Sequence, residues 1–483
     1  MTPADGSGVG PEAARSWRFL ALLFGAWAIG TAWCLAGVPP LVDLAGHGAQ
    51  MQTLVSLFRK DPLVSTYYRP DFHIGYGIEL WLFAPLAWLT NGAVAAKVAL
   101  WCALQLFVLS LWALARVFQR PVWLLFLGLP LAFNMSYWYG LLPGLFSHSL
   151  TMFSVAAYVR ANETRSWRWL VALNLLAAAT LLTHLFSFAL LAVVLGAFAL
   201  VSAQRWAALR TLVAGMGLSV ALSLPRVLTL ADRAVETGPW PTTDYNLGAH
   251  FNWFFKHYRP EGRLAALAPL VIAGVLMLAA LLRRPRARKE AVWGVLALML
   301  TYFVTPKTLS GIYLVCMRIP AVAGMLALFV VDPAVLPRWL KASLVALAAA
   351  SLVETAVFHQ RFAREVDGLW EIVERAPNPG VHGFVTLQGD RVLGSVPVYL
   401  EHLGEWWTAR QGGVGHNFFA NYDHHPARQV PGRELPLRLE QATPEERAQF
   451  DQVLILGPGV PPPPFDTWPQ VDAAGPWRRL KKP

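Results

Sequence analysis

Long apolar runs separated by short polar connectors fill the first three-quarters of the chain, at roughly 17–37, 93–116, 121–136, 143–160, 167–184, 186–203, 207–228, 263–283, 290–306, 313–332 and 336–358. Runs of this kind predict membrane-spanning α-helices, because about 20 apolar residues cover the ~30 Å hydrocarbon core of a bilayer. Several fall short of that length and need tilt or local thinning of the membrane to cross. A further apolar run, 75–92, carries Glu79 and Pro85 inside it, and it is expected to lie along the membrane surface without crossing. The pattern thus predicts about eleven spans plus juxtamembrane helices. Residues 1–16 are polar and no small-residue cleavage site follows the first run, so 17–37 reads as a retained helix and not as a removed signal peptide.

After residue 358 the pattern changes. Strand-like runs such as Val381–Leu387 and Val453–Leu456 alternate with helical stretches, one opened by the capping pattern Thr443-Pro444-Glu445-Glu446. The expected organisation is a membrane domain over 1–358, with outer loops at 38–92 and 229–262, followed by a small α/β domain over 359–483. Pro461–Pro464 marks an extended turn near its end.

Composition fits a polytopic α-helical membrane protein and no soluble class: 55% of residues are hydrophobic, 14% are charged, and the mean hydropathy is +0.43. Basic residues set the orientation, since they mark cytoplasmic loops. Arg15/Arg18, Arg116/Arg120, Arg160/Arg165/Arg168, Arg205/Arg210, the run Arg283–Lys289 and Arg338/Lys341 all fall on one face if 75–92 does not cross. The N-terminus is then cytoplasmic and the C-terminal domain extracytoplasmic. Cytoplasmic loops facing anionic lipid account for the net charge of +11, so no nucleic-acid partner is invoked. Cys34, Cys102 and Cys316 lie in apolar runs and form no disulfide framework. No P-loop, dinucleotide fingerprint or CxxC pair is present, which removes support for ATP-driven transport, nicotinamide chemistry and thiol–zinc sites.

The chemistry-bearing residues gather at the outer face. Pro39-Pro40-Leu41-Val42-Asp43-Leu44-Ala45-Gly46-His47 follows the first span directly, and ionisable groups at a bilayer edge read by default as functional. Asp43 is a candidate general base, with His47 on its face if the stretch is helical. Gly46 and Gly48 weigh against that helix. The bland alternative is that Asp43 caps a surface helix. All 12 histidines map to the outer side, and His148 and His184 stand out because they sit at helix ends, where a buried imidazole needs a partner. Tyr68, Arg69, Asp71, His73 and Glu79 complete the outer loop as candidate substrate contacts. Asp423-His424-His425 is a weak metal candidate, because adjacent histidines on a strand point to opposite faces, and no metal site is assigned.

Taken in order, these features resemble the GT-C fold of polyprenyl-phosphate-sugar-dependent glycosyltransferases, which includes bacterial relatives of protein mannosyltransferases and the lipid A aminoarabinose transferases. The resemblance is one of layout over about 1–358. It rests on Pro40-Leu41-Val42-Asp43 followed by His47, Gln50 and Met51, on the turn Leu181-Leu182-Thr183-His184-Leu185-Phe186, and on Phe303-Val304-Thr305-Pro306-Lys307-Thr308-Leu309-Ser310-Gly311 followed by Arg318. The turn has His184 where relatives often have Lys, and the first loop has one evident Asp. The resemblance implies an inverting transfer of a sugar from a polyprenyl-phosphate donor to a hydroxyl on a lipid, glycan or protein acceptor, on the extracytoplasmic side of a bacterial plasma or inner membrane. Asp43 and His47 would be the catalytic pair, and His184, Lys307 and Arg318 would hold the donor phosphate. No cofactor is called for, and a divalent cation stays open. Two other classes fit the composition: a non-catalytic binding protein of the same fold, and a transporter. Spans with few central charges and no internal repeat disfavour the transporter.

Overall fold

The computed structural model describes residues 11–72, 76–232, 243–256, 263–282, 288–309, 315–376, 379–387, 400, 402–416, 427–436, 439 and 441–483. The helical part runs α1 (Pro11–Leu35), α2 (Leu44–Phe58), α3 (Pro62–Tyr67), α4 (Ile78–Leu89), α5 (Gly92–Val117), α6 (Leu124–Gly128), α7 (Met135–Trp138), α8 (Leu142–Thr164), α9 (Trp167–Thr183), α10 (Leu185–Val201), α11 (Arg205–Asp232), α12 (Leu247–Lys256), α13 (Arg263–Leu282), α14 (Lys289–Val304), α15 (Ile319–Ala327) and α16 (Arg338–Glu365). Most boundaries fall within a few residues of the apolar runs. Four described helices, Trp17–Leu35, Gly92–Val117, Arg205–Leu224 and Arg338–Glu365, are long and apolar enough to cross a membrane. Leu22, Ile29, Leu200, Val213, Leu300 and Val353 point outward from the bundle. Apolar side chains exposed in such number need a hydrocarbon solvent.

Two of the apolar runs do not form single long helices: among the described residues of 313–332 the helical stretch covers only Cys316–Ala327. The run 121–136 is not a single spanning helix: it breaks into α6, a 3-10 turn at Leu129–Ala132 and α7. Pro130 opens that turn, and Asn134 ends it by donating to Leu131 O (2.9 Å) while accepting from Ser136 N (2.8 Å). An asparagine that bonds its own backbone competes with the helix ladder.

Polar side chains within the bundle tie helices together. Gln105 Nε2 on α5 donates to Thr31 Oγ1 on α1 (3.1 Å), and Asn174 Nδ2 on α9 donates to Ala214 O on α11 (2.8 Å). Such bonds cannot be lost to water inside a bilayer, and they set helix register. Helix α2 forms through both Gly46 and Gly48, against the expectation from propensity, because tertiary packing requires a small residue there. A Cβ on Gly48 would lie 3.0 Å from Gly92 O and one on Gly92 2.1 Å from Gly48 O, so α2 and α5 cross at backbone contact.

Beyond α16 come α17 (Leu369–Glu374), α18 (Glu405–Gln411) and a small sheet domain. Its five strands are β4 (Val381–Thr386), β5 (Val414–Gly415), β7 (Gln452–Leu456), β8 (Gln470–Ala474) and β9 (Trp477–Lys481), in the order β5-β4-β7-β9-β8. β4 pairs in parallel with β5 and β7, and the other pairings are antiparallel. The capping box at Thr443 and Glu446 forms, although it opens only the single turn Pro444–Arg447. β1 (Tyr68–Pro70) pairs with β6 (Ala427–Gln429), stitching the first loop to the sheet domain, and β2 (Thr243–Asp244) pairs with β3 (Thr308–Leu309). Helix α18 packs on α2 and α5. Lys97 of α5 donates to Gly37 O (2.6 Å) and lies 4.7 Å from the Trp370 ring and 5.9 Å from the Trp406 ring. This cation thereby joins the end of α1 to the beginning of the C-terminal part.

Candidate functional site

Asp43 is held from below by the backbone of the α7 segment. Its N–H donates to Tyr139 O (2.8 Å), and that of Val42 to Trp138 O (3.3 Å). This support is itself rigid, since His359 Nδ1 lies 2.8 Å from Thr355 O and must donate there, leaving Nε2 to accept from Tyr137 O–H at 2.7 Å. Gly140 closes the support at φ +67°, where a Cβ would stand 2.6 Å from Leu44 N and 3.1 Å from Asp43 N. Any side chain at that position would push the Asp43 loop out of place.

Asp43 occupies the N-cap position of α2, but its carboxylate makes no capping hydrogen bond to the helix. One carboxylate oxygen instead lies 3.7 Å from His402 Nε2. His47 stands one turn along α2, its N–H donating to Asp43 O (3.0 Å). Burial pushes His47 down to about 3, and the nearby charge of His402 pushes the same way. Its ring is therefore neutral across the physiological range.

Arg318 converges on the same place from the opposite side of the sequence. It ends a 3-10 turn, Cys316–Arg318, that leads into α15, and is only 7% exposed. Asp43 and Tyr76 are its electrostatic neighbours, and His148 faces it from α8. Arg318 Nη1 is bonded to His184 Nε2, while His184 Nδ1 lies 3.2 Å from Ser187 N and caps α10. A neutral imidazole accepts at one ring nitrogen only, so His184 touches Ser187 N–H and Arg318 on the two sides of its ring but accepts from one of them at a time. His184 ties the guanidinium to the start of α10, and the permanent positive charge of this corner is that of Arg318. Tyr76 pairs with His184 as an isolated β-bridge, with ring centroids 5.7 Å apart, and Gly77 N donates to Thr183 O (3.0 Å). The entry to α4 is thereby pinned to the α9–α10 turn.

Two polar groups here lack a partner among the described residues: Arg318 Nε and both ring nitrogens of the fully buried His148. Buried donors and acceptors are almost always satisfied, so such groups point to a ligand or water between them. Glu79 on α4 is also buried, with both carboxylate oxygens lacking a partner among the described residues.

The remaining candidates separate. Lys307 is half-buried and its carbonyl accepts from Val315 N (3.0 Å), which sets its backbone beside the turn bearing Arg318. Tyr68 is buried and donates to Gly415 O (3.0 Å), Asp71 pairs with Arg428 (3.0 Å), and Arg69 is exposed opposite Arg428 in the β1–β6 register. Tyr68 and Asp71 thereby fasten the first loop to the sheet domain. His73, His424 and His425 lie outside the described residues. Among the described residues no group of three or more His, Cys, Asp or Glu is placed to hold a metal ion.

Sequence reasoning did not single out His402, Tyr76 or Gly140. His402 was one of many outer histidines, and no local spacing linked it to Asp43, more than three hundred residues away. Gly140, by contrast, left a readable sign in Asn134 and Pro130, the helix breakers just before it.

No protein-family model matches the sequence, and no curated protein matches it. Two crystal structures of ArnT from Cupriavidus metallidurans do match the fold. One is bound to undecaprenyl phosphate, with a TM-score of 0.51, and the other is in the apo state, with a TM-score of 0.50. Each is 14% identical to this chain, over 97% of it and 98% of the ArnT chain. The architecture is accordingly the GT-C fold, from the first helix through the C-terminal sheet domain.

Proposed function

We propose that the chain is an integral membrane glycosyltransferase that moves a sugar from a polyprenyl-phosphate donor to an acceptor hydroxyl on the extracytoplasmic side. The observation that carries this reading is a carboxylate placed as the electrostatic neighbour of a buried guanidinium. Asp43 is an electrostatic neighbour of Arg318, and the guanidinium is nearly excluded from solvent. The likeness to an ArnT structure bound to undecaprenyl phosphate supports the lipid phosphate as its counter-ion.

The chemistry asks little of the protein. A sugar on a polyprenyl phosphate has a good leaving group, so the enzyme must take a proton and hold a departing anion. The acceptor O–H bond breaks and its proton passes to Asp43. The acceptor oxygen bonds to the anomeric carbon, and the carbon–oxygen bond to phosphate breaks with its electron pair leaving on the lipid phosphate. Attack from the face opposite the leaving group inverts the anomeric centre, by the displacement geometry that governs inverting hydrolases. Arg318 stabilises the leaving phosphate, oriented by His184, and Lys307 adds a second cation from the adjoining segment. Preorganised cations in a water-poor site act more strongly than in solution. His47, neutral through burial, offers a hydrogen-bond partner for the acceptor, and His148 and Glu79 line the interior beside it.

Lipid analysis of a deletion strain tests the reaction. The strain is expected to accumulate an unconsumed polyprenyl-linked sugar, and wild-type but not Asp43→Asn protein should remove it on complementation. An unchanged polyprenyl-lipid profile would remove the reading.

The topology that goes with this reading puts the N-terminus in the cytoplasm and the first loop and sheet domain outside. Single cysteines at Ser65 and Glu445 should react with an impermeant maleimide in intact spheroplasts, and one at Arg116 only after permeabilisation. Protection of either of the first two in intact cells would invert the topology and take the outer site with it.

A further inference from the structure

We propose that the C-terminal sheet domain completes the reaction centre, His402 acting as a positioning residue that orients the Asp43 carboxylate by charge. The inference rests on Asp43 being the base, as proposed above, and extends the site into a part of the chain to which no chemistry has been assigned.

Three observations carry it. First, the Asp43 carboxylate makes no cap bond to the helix it begins and has His402 Nε2 at 3.7 Å, with only 12% and 15% of the two side chains exposed. A carboxylate at a helix N-terminus ordinarily turns back onto the free N–H groups. Here it faces another domain.

Second, His402 reaches Asp43 because the sheet domain is fastened to the first loop at several independent points. These are the β1–β6 pairing, the Asp71–Arg428 ion pair, the Tyr68–Gly415 hydrogen bond and the packing of α18 on α2. His402 precedes α18 by three residues, and Glu405 N donates to His402 O (3.1 Å). The imidazole is thus carried on the element that docks against α2.

Third, the groups around the pair leave it electrostatically distinct. Facing Asp43 are His402 and Arg318; facing His402 are Asp43, His47 and His416. Burial pushes His47 and His416 each down to about 3, so both rings are neutral near pH 7. His382, behind His416, is likewise pushed down to about 4 by burial and bonds Thr408 Oγ1 at 2.9 Å. Burial also pushes Glu405 well above the usual carboxylate range. Asp43 stands within ion-pair distance of His402.

The pairing is tested without any substrate, on the full-length chain in phosphatidylethanolamine–phosphatidylglycerol nanodiscs. Diethyl pyrocarbonate labels neutral imidazole and a hydrophobic carbodiimide labels protonated carboxyl, and both are read at single residues by peptide mass spectrometry across pH. In Asp43→Asn the midpoint of His402 labelling should fall by about half a unit or more, as expected for opposite charges this close. In His402→Ala the midpoint of Asp43 labelling should rise by the same amount, because coupling between two sites is reciprocal. A merely structural histidine would change labelling rates without moving the carboxylate midpoint. Midpoints that stay where they are overturn the proposal, and so does a shift in only one direction of the cycle. Should Asp43→Asn fail to fold, the His402→Ala arm decides alone. Since no donor or acceptor is present, loss of the glycosyltransferase reading would leave this result standing, and the reverse also holds.

Discussion

Purified Asp43→Asn protein, supplied with a lipid-linked donor and its acceptor, is expected to turn over about 100- to 10,000-fold more slowly than wild type, the usual loss on removing a general base. The amide keeps the size of the carboxylate and can still face His402, but it cannot take the acceptor's proton. The loss should therefore fall on kcat, with KM for the donor little changed. The rival view of Asp43 as a helix cap predicts something different: about 1 kcal/mol of stability lost and activity nearly intact. The geometry already weakens that rival, because the residue sits at the cap position without making the bond. Turnover within a few-fold of wild type, in protein whose melting temperature is unchanged, would end the case for Asp43 as the base.

The helical scaffold was legible because apolar runs and their polar breaks are one-dimensional signals. Helices α5, α9, α10 and α14 begin and end within a residue or two of those runs. The segment 121–136 misled because its summed apolarity hid two local instructions, Pro130 and Asn134, that stop a helix whatever surrounds them. Gly46 and Gly48 misled in the other direction. Propensity counts a glycine as a cost, whereas the crossing of α2 over α5 requires one.

The site was legible only in part, for a physical reason. Asp43, His184 and Arg318 could be named because each lies at the end of an apolar run, where a titratable group is out of place unless it has work to do. The tie that His184 makes between Arg318 and the start of α10 could not be read, since it depends on which atoms face its two nitrogens. His402 and Tyr76 belong to segments with no periodicity at all. Their relevance comes from tertiary docking, through the β1–β6 pairing and the Tyr76–His184 bridge, and no spacing along the chain encodes it.

Arg318 is the second residue whose loss should be decisive. Its guanidinium sits nearly out of solvent with His184 as hydrogen-bond partner and Nε unsatisfied among the described residues. Taking a cation out of water costs several kcal/mol, and that cost is offset only by anions and hydrogen-bond acceptors around it. Asp43 supplies part of the offset, and a lipid phosphate would supply the rest through the forked geometry that arginine offers. Arg318→Ala is thus expected to lower kcat/KM by about 100- to 1,000-fold, the range seen when one transition-state donor is removed, and to weaken binding of undecaprenyl phosphate. Arg318→Lys keeps the charge but loses the fork, and should recover only part of both. Stability offers the counter-test. Removing a buried partner from His184 costs about 1–3 kcal/mol, which lowers the melting temperature but leaves the folded fraction near one. If Arg318→Ala stays folded, binds undecaprenyl phosphate as wild type does and transfers sugar within a few-fold, the guanidinium is a structural tie between the α9–α10 turn and α15. The phosphate site must then lie elsewhere.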